Sequence, residues 1–385
     1  MRPSARVQAA IDILDQILAG KAAAQALTGC ARRSRFAGSK ARAVIRDYVF
    51  QAMRCKRSYM ALGGAETGRG MMIGQARDQG FDLETLFDGQ GYGAKPIARH
   101  ETGCAPSKEE ARDLPDWLWK EFVASLGETG AQQAAERLRT RAPIICRGNL
   151  RSATVKEVLA NLSAAEVLAE QIDASDTALL VTEGERKLAQ TEAYKQGWIE
   201  LQDASSQAAM AEITIPMGAR VLDYCAGGGG KTLALAARAD AQWFAHDIAS
   251  ERMIDLPERA KRAGVNVNLL QGDIVLEHGP FDVVLCDVPC SGSGTWRRTP
   301  EAKWRLTSKR LAALGRMQAE ILEKALPLVR AGGQLIYATC SVLKSENQEQ
   351  VAGFLSRHGG VTCVTEHVWP ISGHGDGFYL SVMKV

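Results

Sequence analysis

The chain has no run of eighteen apolar residues, so nothing in it reads as a membrane span. Its N-terminus, "MRPSARVQAAIDILDQILAG", begins basic but turns amphipathic, with Ile13, Leu14, Ile17 and Leu18 at helical spacing. It lacks the unbroken apolar stretch and small-residue cleavage site of a secretory signal. The nine cysteines are odd in number and never spaced as CxxC, which argues against a disulfide framework and a zinc site. Free thiols fit a reducing, cytoplasmic compartment. The six histidines form no HExxH or HxxxH pair, so no metal is expected. Overall charge is weak as well, at +3, but it is unevenly spread. Nine Lys or Arg residues stand between Ala31 and Arg57 against one acid, Asp47. Such a run is either a solvated helix face or a nucleic-acid footprint.

At 385 residues there is room for two or three domains, each with its own core. Residues 1–140 read as helical, with "SKARAVIRDYVFQAMRCKRSY" placing Ala43, Ile45, Tyr48, Val49, Ala52 and Met53 on one side. Gly63 to Gly93 is glycine-rich and weakly periodic, and supports no assignment. Residues 141–210 alternate short strands ("PIICRGN", "TALLVTE") with one helix ("TVKEVLANLSAAEV"), which suggests a small α/β subdomain. From 211 to 385 the runs "ARVLDYC", "AQWFAHD", "VNVNLLQGD", "FDVVLCDVP" and "GQLIYATC" are separated by helical or loop segments. That alternation predicts a Rossmann-like α/β domain with a parallel sheet covered on both faces. Ligands bind beyond the carboxyl ends of such strands, where Asp223, Asp247, Asp273 and Asp287 fall.

The segment "LDYCAGGGGKTLALAA" is a strand, four consecutive glycines and a helix. The P-loop spacing GxxxxGK[ST] fails because Cys225 stands where a glycine is needed, and the GxGxxG spacing fails too. What remains is a site for a nucleoside without a pyrophosphate. Asp247 is expected to accept from ribose hydroxyls and Asp273 to lie near the base, the layout of an S-adenosylmethionine site. A lone strand-end Asp is more often a turn or capping residue. Four in succession behind a glycine loop favour the ligand.

Most free cysteines are small buried hydrophobes, and Cys146, Cys225, Cys286 and Cys363 are expected to be so. Cys290 in "DVPCSGSGTW" and Cys340 in "YATCSV" differ, each ending an apolar strand and preceding Ser and turn residues. No histidine stands in a position to serve a cysteine hydrolase. A thiol beside a methyl donor suggests another reaction. Carbon 5 of a pyrimidine is a poor nucleophile until a thiolate adds to carbon 6, after which carbon 5 can attack a sulfonium methyl. An acid near N3 promotes the addition, a position that Asp287 suits. The thiol must ionise below its usual 8.5, and Lys231 at the nearby helix start is expected to assist.

"DVPCSGSGTWRRTPEAKWR" and "LIYATCSVLKSENQEQV" resemble motifs of the RsmB/Sun-type RNA cytosine-5 methyltransferases. "CRGN", "LQDASSQ" and the closing "DGFYLSVMKV" resemble further segments of that family, and the helical N-terminus loosely resembles its NusB-like RNA-binding domain. The resemblance implies a class I S-adenosylmethionine-dependent methyltransferase with Cys340 as nucleophile and Cys290 acting in product release. It places the cofactor on Cys225, Ala226, Gly227, Gly228, Gly229, Gly230 and Lys231, then on Asp247, Asp273 and Asp287. The family loop usually reads Cys-Ala-Ala-Pro-Gly-Gly-Lys, whereas Gly227 and Gly228 replace its Ala and Pro here. Ordering a freer backbone costs on the order of 1 kcal/mol per residue, so weaker cofactor binding is expected.

The substrate base must leave its stack, which implies an unpaired or flipped nucleotide. Arg297, Arg298, Lys303 and Arg305, just after Cys290, are expected to hold RNA backbone, although exposed arginines are often only solubilising. The resemblance favours small-subunit (16S) ribosomal RNA; the protein is expected to be monomeric and, from its cysteine usage, cytoplasmic. The alternatives are a tRNA or DNA cytosine-5 methyltransferase and a non-catalytic RNA-binding assembly factor. The TCS motif at Cys340 argues against the DNA enzyme. The presence of both cysteines, Lys231 and all four acids argues against decay to an assembly factor.

Overall fold

The structure is a computed structural model, and it describes residues 1–33 and 38–385. Residues 34–37, which include Arg35 of the basic run, lie outside the described residues. The chain divides into two compact units, Met1–Arg141 with Trp296–Arg305, and Ala142–Thr295 with Leu306–Val385.

The first unit is helical. Its helices include Pro3–Leu18, Ser39–Arg54, Lys56–Gly63, Gly68–Asp78 and Asp116–Leu138. Their apolar stripes meet in one core containing Ile13, Leu14, Ile45, Val49, Met53 and Tyr59. The glycine-rich stretch that supported no assignment holds the Gly68–Asp78 helix, capped by Thr67 Oγ1 accepting from the Gly70 N–H at 3.1 Å. A Cβ on Gly74 would lie 2.0 Å from the Tyr59 carbonyl oxygen, and one on Gly63 would lie 1.8 Å from that of Gly70. These glycines let two helices approach backbone to backbone, and packing overrides their poor helix propensity.

The second unit contains two sheets. In the smaller, β1 (Ile144–Gly148), β2 (Leu168–Gln171), β3 (Ala178–Glu183) and β4 (Ile199–Leu201) are antiparallel in the order β2-β3-β1-β4. The helix Val155–Ala164 joins β1 to β2 and opens with a Thr154/Glu157 capping box. The larger sheet has the order β10-β11-β9-β8-β5-β6-β7. Its parallel part comprises β5 (Arg220–Asp223), β6 (Gln242–His246), β7 (Val267–Leu270), β8 (Phe281–Asp287) and β9 (Val329–Thr339). The last two strands, β10 (Thr362–Trp369) and β11 (Phe378–Lys384), add an antiparallel edge. Apolar clusters cover both faces, one including Phe281, Val284, Leu335 and Tyr337, the other Val221, Val283, Leu285 and Ile336. This is the Rossmann-like α/β domain that the sequence predicts. Among the described residues no helix is long and apolar enough to cross a membrane.

Candidate active site

Because β5, β6, β7 and β8 run parallel, their carboxyl ends share one edge of the sheet. Asp223 and Asp287 are the last residues of their strands, and Asp247 and Asp273 follow theirs closely. The glycine loop leaves β5 at this edge and leads into the helix Gly230–Ala236. Gly227 and Gly229 have φ of +50° and +75°, and a Cβ on Gly229 would lie 2.1 Å from Leu256. Only glycine suits that last position.

Groups outside the loop hold it. The Gly227 N–H donates to Asp247 Oδ2 at 2.9 Å, and the Gly228 carbonyl accepts from Arg259. Arg259 also pairs with Glu200 at 3.0 Å, as Arg262 does at 2.6 Å. Arg147 Nη1 donates to the Gly230 carbonyl at 2.9 Å, so the smaller sheet braces the loop through both Glu200 and Arg147. Asp247 is buried, and its carboxylate also accepts from Arg252 at 3.0 Å and the Ala249 N–H at 3.0 Å. Asp273 is exposed. Asp223 is buried, and burial pushes its carboxyl up to about 6 against the Thr232 hydroxyl, which donates to it at 2.6 Å. A positive-φ glycine turn beside strand-end carboxylates fits a nucleoside bearing hydroxyl and amino donors.

Lys231 reaches from the start of the next helix to Asp287 Oδ2 at 2.5 Å. Burial alone would depress its ammonium, but the charge and hydrogen bond of Asp287, with Cys340 and Asp223 nearby, raise it above the usual lysine value. The two thiols meet, with Cys290 Sγ 3.4 Å from Cys340 Sγ. They are not equivalent. The hydrogen bond with Cys290 lowers the Cys340 thiol, aided by Lys231 and Thr295 and opposed by burial and Asp287. The same hydrogen bond, together with burial, raises Cys290 well above the usual thiol value. These influences favour the thiolate on Cys340 over Cys290, while the contact itself lets either sulfur donate.

A group missed in the sequence lies behind the pair. Glu346 is fully buried and accepts from the Ser291 N–H at 2.8 Å, the Ser291 hydroxyl at 2.5 Å and the Ser341 hydroxyl at 2.6 Å. "KSENQEQ" reads as an exposed helix start, which hides the role of that acid. The only signal was its place six residues after Cys340. Two expected RNA contacts are corrected. Arg297 and Lys303 are each 1% exposed, and Lys303 Nζ donates to the Arg54 carbonyl at 2.8 Å within the helical unit. Arg298 and Arg305 are exposed. Of the cysteines expected to be buried, Cys225 is half-buried in the glycine loop and Cys363 is exposed, since it lies on edge strand β10.

Residues 213–384 match the family described as 16S rRNA methyltransferase RsmB/F, and residues 114–186 match the ferredoxin-like domain of RsmF/B-like methyltransferases. Over residues 213–384 the chain is similar to the RsmB/F family. The ribosomal RNA small subunit methyltransferase B of Enterobacter sp. (strain 638) is 33% identical over 281 residues, 69% of this chain and 65% of that protein. The protein of the same name from Klebsiella pneumoniae subsp. pneumoniae is 35% identical over 250 residues, 63% of this chain and 57% of its own. The chain thus spans less than two thirds of these relatives. The crystal structure of PH0851 shares the fold along 100% of this chain and 99% of its own, with a TM-score of 0.75 at 22% identity. That of NSun6 from Pyrococcus horikoshii with SFG shares it over 70% of this chain and 98% of its own, with a TM-score of 0.61 at 17% identity. The seven-stranded sheet, the glycine loop and both cysteines all lie within or at the edge of the RsmB/F match.

Proposed function

We propose that this chain is an S-adenosylmethionine-dependent RNA cytosine-5 methyltransferase of the cytoplasm, acting on small-subunit ribosomal RNA. The observation that carries the reading is the Cys290–Cys340 contact of 3.4 Å, with Cys340 as the easily ionised partner beside the Lys231–Asp287 pair. The RsmB/F match and the two bacterial relatives, both named small-subunit ribosomal RNA methyltransferases, support the choice of RNA.

S-adenosylmethionine supplies the electrophilic methyl group. The loop Cys225–Lys231 and the acids Asp247 and Asp273 would hold it at the sheet edge. Cys340 Sγ adds to carbon 6 of the flipped cytosine, forming a C–S bond and making carbon 5 nucleophilic. The Lys231–Asp287 pair meets the base edge and steadies the charge that develops there. In the release step water takes the proton from carbon 5, the C5–C6 double bond re-forms and the C–S bond breaks, and the departing Cys340 thiolate is the charge that Cys290 is placed to stabilise. The exposed Lys40, Arg42 and Arg46 of the Ser39–Arg54 helix give the helical unit an RNA-binding face.

The test uses labelled cofactor with RNA and DNA in separate reactions. Label should enter RNA alone, Cys340→Ala should abolish transfer, and Cys290→Ala should accumulate a covalent RNA–protein adduct. An adduct that persists in Cys340→Ala reverses the roles of the thiols. Bisulfite sequencing of RNA from a deletion strain identifies the modified position.

A further inference from the structure

Glu346 sits in the turn Lys344–Glu346 after β9, with 0% exposure, at the meeting point of three separate segments. Its carboxylate takes two hydrogen bonds from Ser291, the residue after Cys290, and one from the hydroxyl of Ser341, the residue after Cys340. Gln318, on the helix Ser308–Ala325, donates to Glu346 Oε1 at 3.1 Å and to the carbonyl of Pro289, the residue before Cys290, at 3.0 Å. The Tyr337 hydroxyl donates to the Glu346 carbonyl at 2.6 Å and fixes its backbone. Ser293 and Ser341 close the circuit through their hydroxyls, 2.9 Å apart.

A buried carboxylate is costly unless its lone pairs are filled, and here side-chain and backbone donors from both cysteine loops fill them. Moving either loop would leave an acceptor without its donor in a site closed to water. The spacing of the two sulfurs is thereby tied to Glu346. Its charge is also directional, since it reinforces the hydrogen bond and burial that keep Cys290 protonated.

We propose that Glu346 is a positioning residue for the two-thiol site, clamping the Cys290 and Cys340 loops in the register that makes Cys290 the donor and Cys340 the acceptor. This rests on the reading of Cys340 as nucleophile, but its test needs neither RNA nor cofactor.

The purified full chain is treated with iodoacetamide across pH 6 to 9, and labelling of each cysteine is followed by mass spectrometry. In the unaltered protein Cys340 should label ahead of Cys290. In Glu346→Gln, which keeps the shape and removes the charge, the ratio of the two rates should fall about tenfold, the effect of narrowing their separation by one pKa unit. Ser291→Ala, which leaves the carboxylate but removes one donor from the Cys290 loop, should lower the ratio in the same direction by a smaller factor. It also serves if Glu346→Gln fails to fold. An unchanged ratio in either folded variant overturns the clamp. Cys290 labelling first in the unaltered protein would instead overturn the assignment of nucleophile.

Discussion

Replacing Arg259 with Ala should weaken cofactor binding by loosening the glycine loop from outside it. Arg259 donates to the Gly228 carbonyl and is itself oriented by Glu200, whose side chain is 6% exposed. A hydrogen bond to a charged group contributes about 1.5–3 kcal/mol. The arginine is 24% exposed, so solvent screening reduces this to about 1–2 kcal/mol. If the loop orders on binding, the loss appears as roughly 5- to 30-fold weaker affinity for S-adenosylmethionine in calorimetry. The same hydrogen bond changes what a proline at 228 should do. In the free loop it would add about 0.4–1 kcal/mol by restricting the backbone. However, a Cβ on residue 228 would lie 2.8 Å from Arg259 Nη1 and push the guanidinium away. Gly228→Pro should therefore leave affinity nearly unchanged in the parent chain and tighten it in the Arg259→Ala background. A double-mutant cycle reads that coupling directly. Equal tightening in both backgrounds, or normal binding by Arg259→Ala, would refute the reasoning.

Three further outcomes follow from the same geometry. Asp223 ionises near 6 when folded against an ordinary value of 3.8, so the folded state holds the extra proton and stability falls as pH rises between these values. Asp223→Asn, which can still accept from Thr232, should raise the melting temperature at pH 8 and change it little at pH 3.5. A shift of equal size at both values counts against the buried charge. Lys231→Met removes a cation that favours the Cys340 thiolate, and should slow iodoacetamide labelling of Cys340 at pH 7.5 about fivefold. Unchanged labelling would mean that the lysine does not act on that sulfur. Replacing Arg42 and Arg46 with Ala should flatten the plot of log affinity for single-stranded RNA against log salt by about 1.4, since each phosphate left without its cation removes about 0.7 from the slope. An unaltered slope would exclude this helix from the RNA footprint.

The parallel strands were legible because each is buried on both faces and reads as an apolar run, as in "FDVVLC" before Asp287. β2 and β4 were not, since short strands with exposed residues, such as "LAEQ", carry no periodicity of that kind. The Gly68–Asp78 helix was hidden because glycines chosen for close packing resemble a loop. At the sheet edge, a turn of four glycines and a pair of strand-end cysteines stand out on their own. Glu346 and Arg259 do not, because a charged residue in a polar context carries no mark of what it touches after folding. Lys303 shows the converse. Its charge reads as a surface feature, yet it lies over the Trp304 ring and beneath the helical core, with burial pulling its ammonium down to about 8.

The ten residues Trp296–Arg305 follow the Cys290 loop in sequence but fold as part of the helical unit. Trp296 stacks on Phe122 with ring centroids 6.0 Å apart, and Trp304 Nε1 donates to the Met53 carbonyl at 2.7 Å. The helical unit is therefore not an interchangeable cassette. Excising it at Arg141 would strand two tryptophans and a buried lysine a few residues after Cys290, and grafting it elsewhere would leave unfilled the place that this stretch occupies. The two parts are expected to be inherited and exchanged together, never shuffled singly.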